Sequence, residues 1–354
     1  MHSLPNLSRV HAMALRFGIF DWLDDAGRPL EDIYEDRLQL LELADQGPFW
    51  CYHLAEHHGT PLGLAPSPNL FLSAAAQRTR RIRLGTLVNV LPLYEPVRLW
   101  EEVCMLDHLC GGRLDVGIGR GGSPYELANY GIAAEGARDR YLEVWDVVRR
   151  GLLDGRVDHE GARYRRQAST PLRPLQQPYP PLWYPTSSPQ SIPFAAEQGL
   201  NAVFAFLLAR QGVTPHAATA TYREVLEEHR GDPRRLNGHV AEPLYGHARH
   251  VYVANTHAQA RTEAMSALRR WFDSFNHLWL RDRGEEYWPS DLEAFAREGY
   301  LVAGSPATVR EQLRECLPVW GGNYFLGAFA FGSLTREQSL RSLDLFAREV
   351  IPGL

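Results

Sequence analysis

The chain runs to 354 residues with a formal net charge of −5, 45% hydrophobic and 22% charged side chains, enough for one large α/β domain of ordinary globular composition. The mild acidic balance excludes the basic footprint of a nucleic-acid or anionic-membrane binder, and no apolar run reaches the roughly 20 residues of a spanning helix. All 37 basic residues are arginine, which excludes Schiff-base and P-loop mechanisms that need a lysine.

Residues 1–13 are polar, lack the apolar stretch of a signal peptide, and read as a disordered tail ahead of a single domain over 14–354. The spacing of apolar residues predicts a strand at 15–20, a helix at 33–45 and a strand at 49–54 that runs straight into Glu56-His57-His58. A helix follows at 69–78. Residues 82–91 are apolar at nearly every position, as a strand buried on both faces would be. Next come a helix at 96–109, a strand at 113–118 and a helix at 138–153.

Residues 155–180, rich in Gly, Arg, Pro and Gln, read as an excursion lying across the fold. Beyond it a strand is predicted at 182–185 and a helix opened by Ser188-Pro189. A strand at 202–207 and a helix at 215–229 follow, and the last two strands fall at 249–254 and 324–329. Helices fill 256–281, 305–316 and 335–349. The polar and aromatic stretch 281–300 reads as a mobile lid. The count is eight strand–helix units in one domain, the arithmetic of a (β/α)8 TIM barrel. A doubly wound sheet is the competing architecture. Gly117-Ile118-Gly119-Arg120-Gly121-Gly122 matches G-x-G-x-x-G, but it follows the fourth strand rather than the first and lacks the acid about 20 residues on.

In such a barrel the residues at C-terminal strand ends form the active site. Glu56, His57 and His58 fall there, and a histidine at a rim relays protons near neutral pH; the plain alternative is hydrogen bonding within the loop. No third ligand is spaced for a metal, so none is expected. Arg120 follows the fourth strand between glycines, a pattern that suits phosphate as well as a simple turn. Ser188 reads as an N-cap with Pro189 at the first helical position, leaving the Gln190 and Ser191 amides facing outward toward an anion. Phe20, Trp22, Tyr52, Phe204 and Phe206 are candidates for an aromatic pocket. The scattered Cys51, Cys104, Cys110 and Cys316 read as reduced thiols, so the expected compartment is the cytoplasm.

Ala55-Glu56-His57-His58, Arg81-Ile82-Arg83-Leu84-Gly85-Thr86, Met105-Leu106-Asp107-His108-Leu109 and Gly111-Gly112-Arg113-Leu114-Asp115-Val116-Gly117-Ile118-Gly119-Arg120-Gly121 stand in an order and spacing that resemble the bacterial luciferase-like, flavin-dependent monooxygenases. The likeness is nearest to the luciferase catalytic subunit, and returns at Ala195-Ala196-Glu197-Gln198-Gly199-Leu200, Trp271-Phe272-Asp273-Ser274-Phe275 and Ala303-Gly304-Ser305-Pro306.

The resemblance implies a TIM barrel that takes reduced FMN from a separate NAD(P)H:flavin reductase, forms a C4a-peroxyflavin with O2, and oxygenates an apolar or aromatic small molecule. It implies His57 as general base, Arg120 with Ser187, Ser188 and Ser191 at the phosphate, and Glu126 near the flavin. Leu87-Val88 aligns with a non-proline cis peptide against which the flavin ring packs. Trp22, His58, Phe204 and Phe206 are the candidate substrate pocket, and a homodimer is implied, with the 96–109 helix offering apolar surface. Gly119 and Phe206 stand where luciferases carry cysteine and tryptophan, which counts against light emission. A deazaflavin (F420)-dependent hydride-transfer enzyme and a non-catalytic flavin-binding partner subunit are the other readings of the same barrel.

Overall fold

A computed structural model of the protein describes residues 15–354; the expected tail at 1–13 lies outside the described residues. Eight parallel strands close into a barrel. In chain order they are Arg16–Asp21, Phe49–Leu54, Arg83–Thr86, Leu114–Gly119, Leu182–Thr186, Asn201–Phe204, Tyr245–Val253 and Tyr324–Ala328. Each pairs with its neighbours in sequence, and the ring closes where the eighth strand meets the first, with Arg16 opposite Tyr324 and Gly18 opposite Leu326. The doubly wound alternative is thereby excluded, because an open sheet has two free edges.

Helices cover the outside. Five helices, Pro68–Arg78, Pro96–Leu109, Pro124–Ala128, Pro215–Glu228 and Pro306–Trp320, begin on a proline among the described residues. Proline is suited to a first helical position, since its missing N–H has no intrahelical partner there and its φ is already helical. Strands four and eight are buried at every residue, as expected between a packed interior and a helical coat.

The lower interior of the barrel is filled by polar and aromatic side chains. His53 Nε2 lies 2.9 Å from the Tyr324 hydroxyl, and the Trp183 indole N–H donates to Asp115 at 2.8 Å. Arg83 closes the set, donating to Asp115 from Nε at 2.8 Å. Gly18 makes this possible, because a Cβ there would lie 1.9 Å from the Tyr324 hydroxyl. Above this plug a cavity opens toward the C-terminal strand ends, where barrel enzymes place their sites.

The element boundaries differ from the sequence expectation where the backbone turns for a reason periodicity does not carry. The predicted strand 82–91 ends at Thr86, passes a cis Leu87–Val88 peptide, resumes as Asn89–Val90, and tightens into a 3-10 turn at Leu91–Leu93. The sixth strand stops at Phe204 and Phe206–Gln211 forms a 3-10 turn. The helix expected from Ser188-Pro189 begins instead at Ser191, with Gln190 at the cap and no side-chain cap bond. Ser191 N–H bonds back to Ser188 O and Ile192 N–H to Pro189 O, a tight turn, and Pro193 supplies no donor to extend an α-helix further back.

The seventh strand starts at Tyr245, earlier than expected, and its far half pairs with an additional parallel strand, Leu301–Gly304. The excursion at 155–180 contains an antiparallel hairpin, Arg156–Glu160 with Arg165–Ser169. Glu143 of the Ala137–Asp154 helix anchors it, accepting from the Tyr164 amide at 2.7 Å.

Candidate active site

The end of the first strand carries Asp21-Trp22-Leu23-Asp24 round a sharp corner. Leu23 sits at φ +56, a left-handed conformation unfavourable for a branched residue. The Asp21 carboxylate holds it by accepting the Leu23 amide at 2.7 Å, and also takes the Tyr52 hydroxyl at 2.9 Å. Buried Arg37 pairs with Asp21 at 2.9 Å and with Asp24 at 3.5 Å. Burial outweighs Arg37 at Asp24 and pushes its carboxyl up to about 7. The outcome of this bracing is a fixed Trp22, whose ring stacks on His250 with centroids 5.1 Å apart.

At the end of the second strand Glu56, His57 and His58 separate into two functions. Glu56 Oε2 accepts the Val90 amide at 3.0 Å and the Tyr94 hydroxyl at 2.7 Å, and Glu56 Oε1 lies 2.9 Å from His58 Nε2. The other His58 nitrogen lies 2.8 Å from the Tyr130 hydroxyl. Both ring nitrogens of His58 are therefore taken up, and the ring does not line the cavity expected for it. His57 is the chemically available member.

Glu126 reaches His57 from the short Pro124–Ala128 helix, whose N-cap Ser123 accepts the Glu126 amide. Glu126 Oε1 lies 3.0 Å from His57 Nδ1, and its other oxygen accepts the His58 amide at 3.2 Å. An ionised carboxylate only accepts, so the bond keeps a proton on Nδ1 and leaves Nε2 as the working nitrogen. Burial alone would lower the His57 pKa. The attraction and hydrogen bond of Glu126, with a smaller push from Glu56, reverse that and set it above the ordinary 6.5. The side chain keeps 27% of its surface exposed, against 11% for Glu126.

His57 borders a cavity of about 180 Å³ at the C-terminal strand ends, lined mainly by apolar and aromatic side chains. Phe20, Trp22, Leu87, Val203, Phe206 and Phe295 form its walls. After the His257–Arg283 helix the chain doubles back so that Trp288 packs on Phe206 with centroids 5.2 Å apart, and the Asn276 amide brackets the Trp288 backbone. Two expected pocket residues fall elsewhere. Phe204 turns outward against Tyr222 and His247, and Tyr52 is engaged with Asp21.

The cis Leu87–Val88 peptide, implied by the resemblance, stands between the cavity and the fourth strand. Gly119 leaves it room, since a Cβ there would lie 2.5 Å from Val88 Cγ2. Next to Gly119, Arg120 is exposed and has no ion-pair partner among the described residues. Arg120 and Arg138 both lower the pKa of Tyr184, a shift that burial nevertheless leaves upward, so two guanidinium groups act on one phenol. Strands four and five are paired neighbours, so Arg120 and the Ser187-Ser188 segment follow adjacent strand ends. There the Ser187 carbonyl accepts Gln211 at 2.7 Å, and the Ser191 hydroxyl donates to Ser188 O at 2.6 Å.

Sequence reasoning missed Tyr94, Tyr130 and His250. Tyr94 and Tyr130 sit in loops with no periodic signal. His250 belongs to the polar triplet His247, Arg249 and His250 within an otherwise apolar strand, a signal present in the sequence.

In this closed parallel barrel a carboxylate-oriented histidine stands beside an apolar cavity at the C-terminal strand ends, the place where barrel enzymes build their sites. The luciferase-like monooxygenase family model matches residues 15–322, and the chain belongs to that family, whose members are oxidoreductases. It is 38% identical over 331 residues to the uncharacterized protein y4wF of Sinorhizobium fredii, covering 92% of this chain and 93% of that one. It is 30% identical over 256 residues to the oxygenase component of the flavin-dependent trigonelline monooxygenase of Acinetobacter baylyi, covering 71% and 68%. Among solved structures, the monooxygenase RslO1 of Streptomyces bottropensis superposes with a TM-score of 0.82 at 27% identity, covering 96% of this chain and 99% of that one.

If His57 accepts a proton in turnover, it must be neutral to do so, and activity falls as pH drops through its raised pKa. Glu126→Gln removes the group that raises it and leaves burial to dominate. The acidic limb of the kcat/KM profile is then expected to move to lower pH, with a matching change in the His57 NMR titration. An unmoved limb would separate Glu126 from the chemistry of His57.

Proposed function

We propose that the chain is the oxygenase of a two-component flavin system. It receives reduced FMN from a separate NAD(P)H:flavin reductase and transfers one atom of O2 to an apolar or aromatic small molecule. The observation that carries this reading is the placement of His57, oriented by Glu126, on an apolar cavity that also touches the cis Leu87–Val88 peptide.

The rim fits a phosphorylated flavin. Arg120 is a cation without an ion-pair partner among the described residues, at the strand end next to the one that carries Ser187, Ser188 and Ser191. Gly121, at φ +86, and Gly122, with open space where a Cβ would stand, allow close backbone approach. These residues would hold the phosphate, and Leu87, Val88 and Glu126 would border the ring. Reduced FMN supplies the two electrons that let one oxygen atom enter the substrate while the other leaves as water. The protein supplies the apolar walls that exclude bulk water. It also supplies His57 Nε2, which would accept a proton at the site and give it up again within the cycle, while Glu126 would stabilise the imidazolium in between. The free state of His57 disfavours a purely flavin-binding subunit.

The deciding experiment mixes photoreduced FMN anaerobically with the protein, admits O2, and follows absorbance in a stopped-flow cell. Reoxidation slower than that of free reduced FMN is expected. Reoxidation at the free rate, together with hydride transfer by reduced F420 that consumes no O2, would replace the monooxygenase by the deazaflavin reading.

His57→Ala is expected to lower turnover by about 10²–10⁴-fold with FMN affinity kept within twofold. Unchanged turnover removes it as the base. Arg120→Ala should weaken FMN binding by about tenfold or more, the loss of one charge-assisted phosphate contact. A dissociation constant within twofold of wild type would take Arg120 out of the phosphate site.

Homodimerisation is part of the same proposal. Leu70, Met105 and Leu109 are 73%, 53% and 49% exposed on the neighbouring helices Pro68–Arg78 and Pro96–Leu109, an apolar patch of the kind that interfaces cover. Sedimentation equilibrium should return a mass of twice the chain, and a monomer at micromolar concentration would overturn it.

A further inference from the structure

The apolar cavity contains a polar group that the chemistry of His57 does not use. His250, on the seventh strand, lines the cavity on the side of Trp22 and Phe295. It is 2% exposed, and its Nε2 is buried with no hydrogen-bond partner among the described residues. Its ring is enclosed by aromatic faces and edges: Trp22 stacked at 5.1 Å, Trp271 at 4.4 Å, Phe331 at 4.8 Å and Phe295 at 5.8 Å.

Buried polar atoms without partners are rare in folded proteins, and each calls for an explanation. The four rings meet His250 with faces and edges, and no hydrogen bond joins it to either indole N–H; Trp271 Nε1 is likewise unpartnered among the described residues. Two other polar residues border the cavity and have other engagements. His57 directs Nδ1 to Glu126 and keeps Nε2 for proton transfer, and the Arg249 guanidinium is turned onto the faces of Trp320 at 4.3 Å and Tyr300 at 5.2 Å and donates to the Ala248 carbonyl. Ligand cavities of this kind use a few placed polar groups to fix the orientation of an otherwise apolar guest.

We propose that His250 is the substrate-orienting group of the cavity, and that the substrate is an uncharged, apolar or aromatic molecule carrying one carbonyl or hydroxyl that hydrogen-bonds to the His250 ring. The inference rests on the proposed function for the identity of the site, and adds to it the class of substrate. An uncharged guest follows from the surroundings. The walls are mainly apolar and aromatic, and burial, reinforced by the adjacent Arg249, brings the His250 pKa down to about 3, which favours the neutral ring. Trp22, held by the Asp21 and Arg37 network, fixes one face of the ring and so the direction of its nitrogens.

The test compares three probes of similar size on the FMN-loaded protein by equilibrium dialysis: acetophenone, which carries the carbonyl; ethylbenzene, which lacks it; and benzoate, which is charged. Wild-type protein is expected to bind acetophenone about three- to tenfold more tightly than ethylbenzene, the contribution of one neutral hydrogen bond, and benzoate least. His250→Phe keeps the ring and deletes both nitrogens. It should bring the acetophenone-to-ethylbenzene ratio to about one while leaving ethylbenzene affinity within twofold. Should the Phe variant fail to fold, His250→Gln serves in its place and should keep a ratio above one. Equal affinities in wild type, absence of acetophenone binding at millimolar concentration, a preference for benzoate, or a ratio unchanged in His250→Phe each overturn the proposal. FMN affinity is measured separately on the same variants. Loss of flavin binding with probe discrimination intact would indict the functional reading and leave His250 standing, and the reverse pattern would do the opposite.

Discussion

The carboxylate of Glu56 takes the Val90 amide at 3.0 Å and the Tyr94 hydroxyl at 2.7 Å through one oxygen, and faces His58 at 2.9 Å through the other. The loops after strands two and three are thus tied by one nearly buried group. Bonds to a charged acceptor contribute about 1.5–3 kcal/mol each, and deleting the acceptor would leave several donors stranded in a low-dielectric rim. Glu126 extends the same construction to the loop after strand four, binding the His57 ring and the His58 amide. Three separate strand ends are brought into one rigid rim by two acidic side chains, and the geometry of His57 depends on both.

The barrel divides its interior between stability and chemistry. Its lower half is filled by His53, Trp183, Tyr324, Asp115 and Arg83, where hydrogen bonds satisfy buried polar groups. Its upper half is aromatic and leaves space. Glycine permits the arrangement at both levels, with Gly18 admitting the Tyr324 hydroxyl below and Gly119 admitting Val88 above. A side chain at either place would shift a neighbour that belongs to the plug or to the rim, so the two halves constrain each other through the same strands.

Eight strand–helix units were legible because buried parallel strands read as unbroken apolar runs and their helices as 3.6-residue periods. What escaped the sequence shares one physical character: it is fixed by contacts distant in the chain. The cis turn at Leu87–Val88 interrupts a run whose hydrophobicity continues unchanged, so periodicity alone extends the strand to 91. Leu301–Gly304 becomes a strand only because the far half of Tyr245–Val253 has left its sixth-strand neighbour and needs a partner. His57, Arg120 and Glu126 could be nominated from motif resemblance, whereas the structure supplies the partner that orients each, or in Arg120 the lack of one.

His57 and His58 show why residue type alone does not identify chemistry. They are adjacent, identical in composition and raised on the same strand end, yet their ring nitrogens meet different surroundings. His58 spends one nitrogen on Glu56 and the other near the Tyr130 hydroxyl, so both sides of its ring are used in holding the rim together. His57 spends only Nδ1, and its carboxylate partner favours the protonated form without closing off Nε2. A base proposed for this rim would have to accept a proton and release it without dismantling the loop that carries it. The two histidines have surroundings suited to dividing those requirements, one with both nitrogens engaged in the loop and the other with Nε2 open.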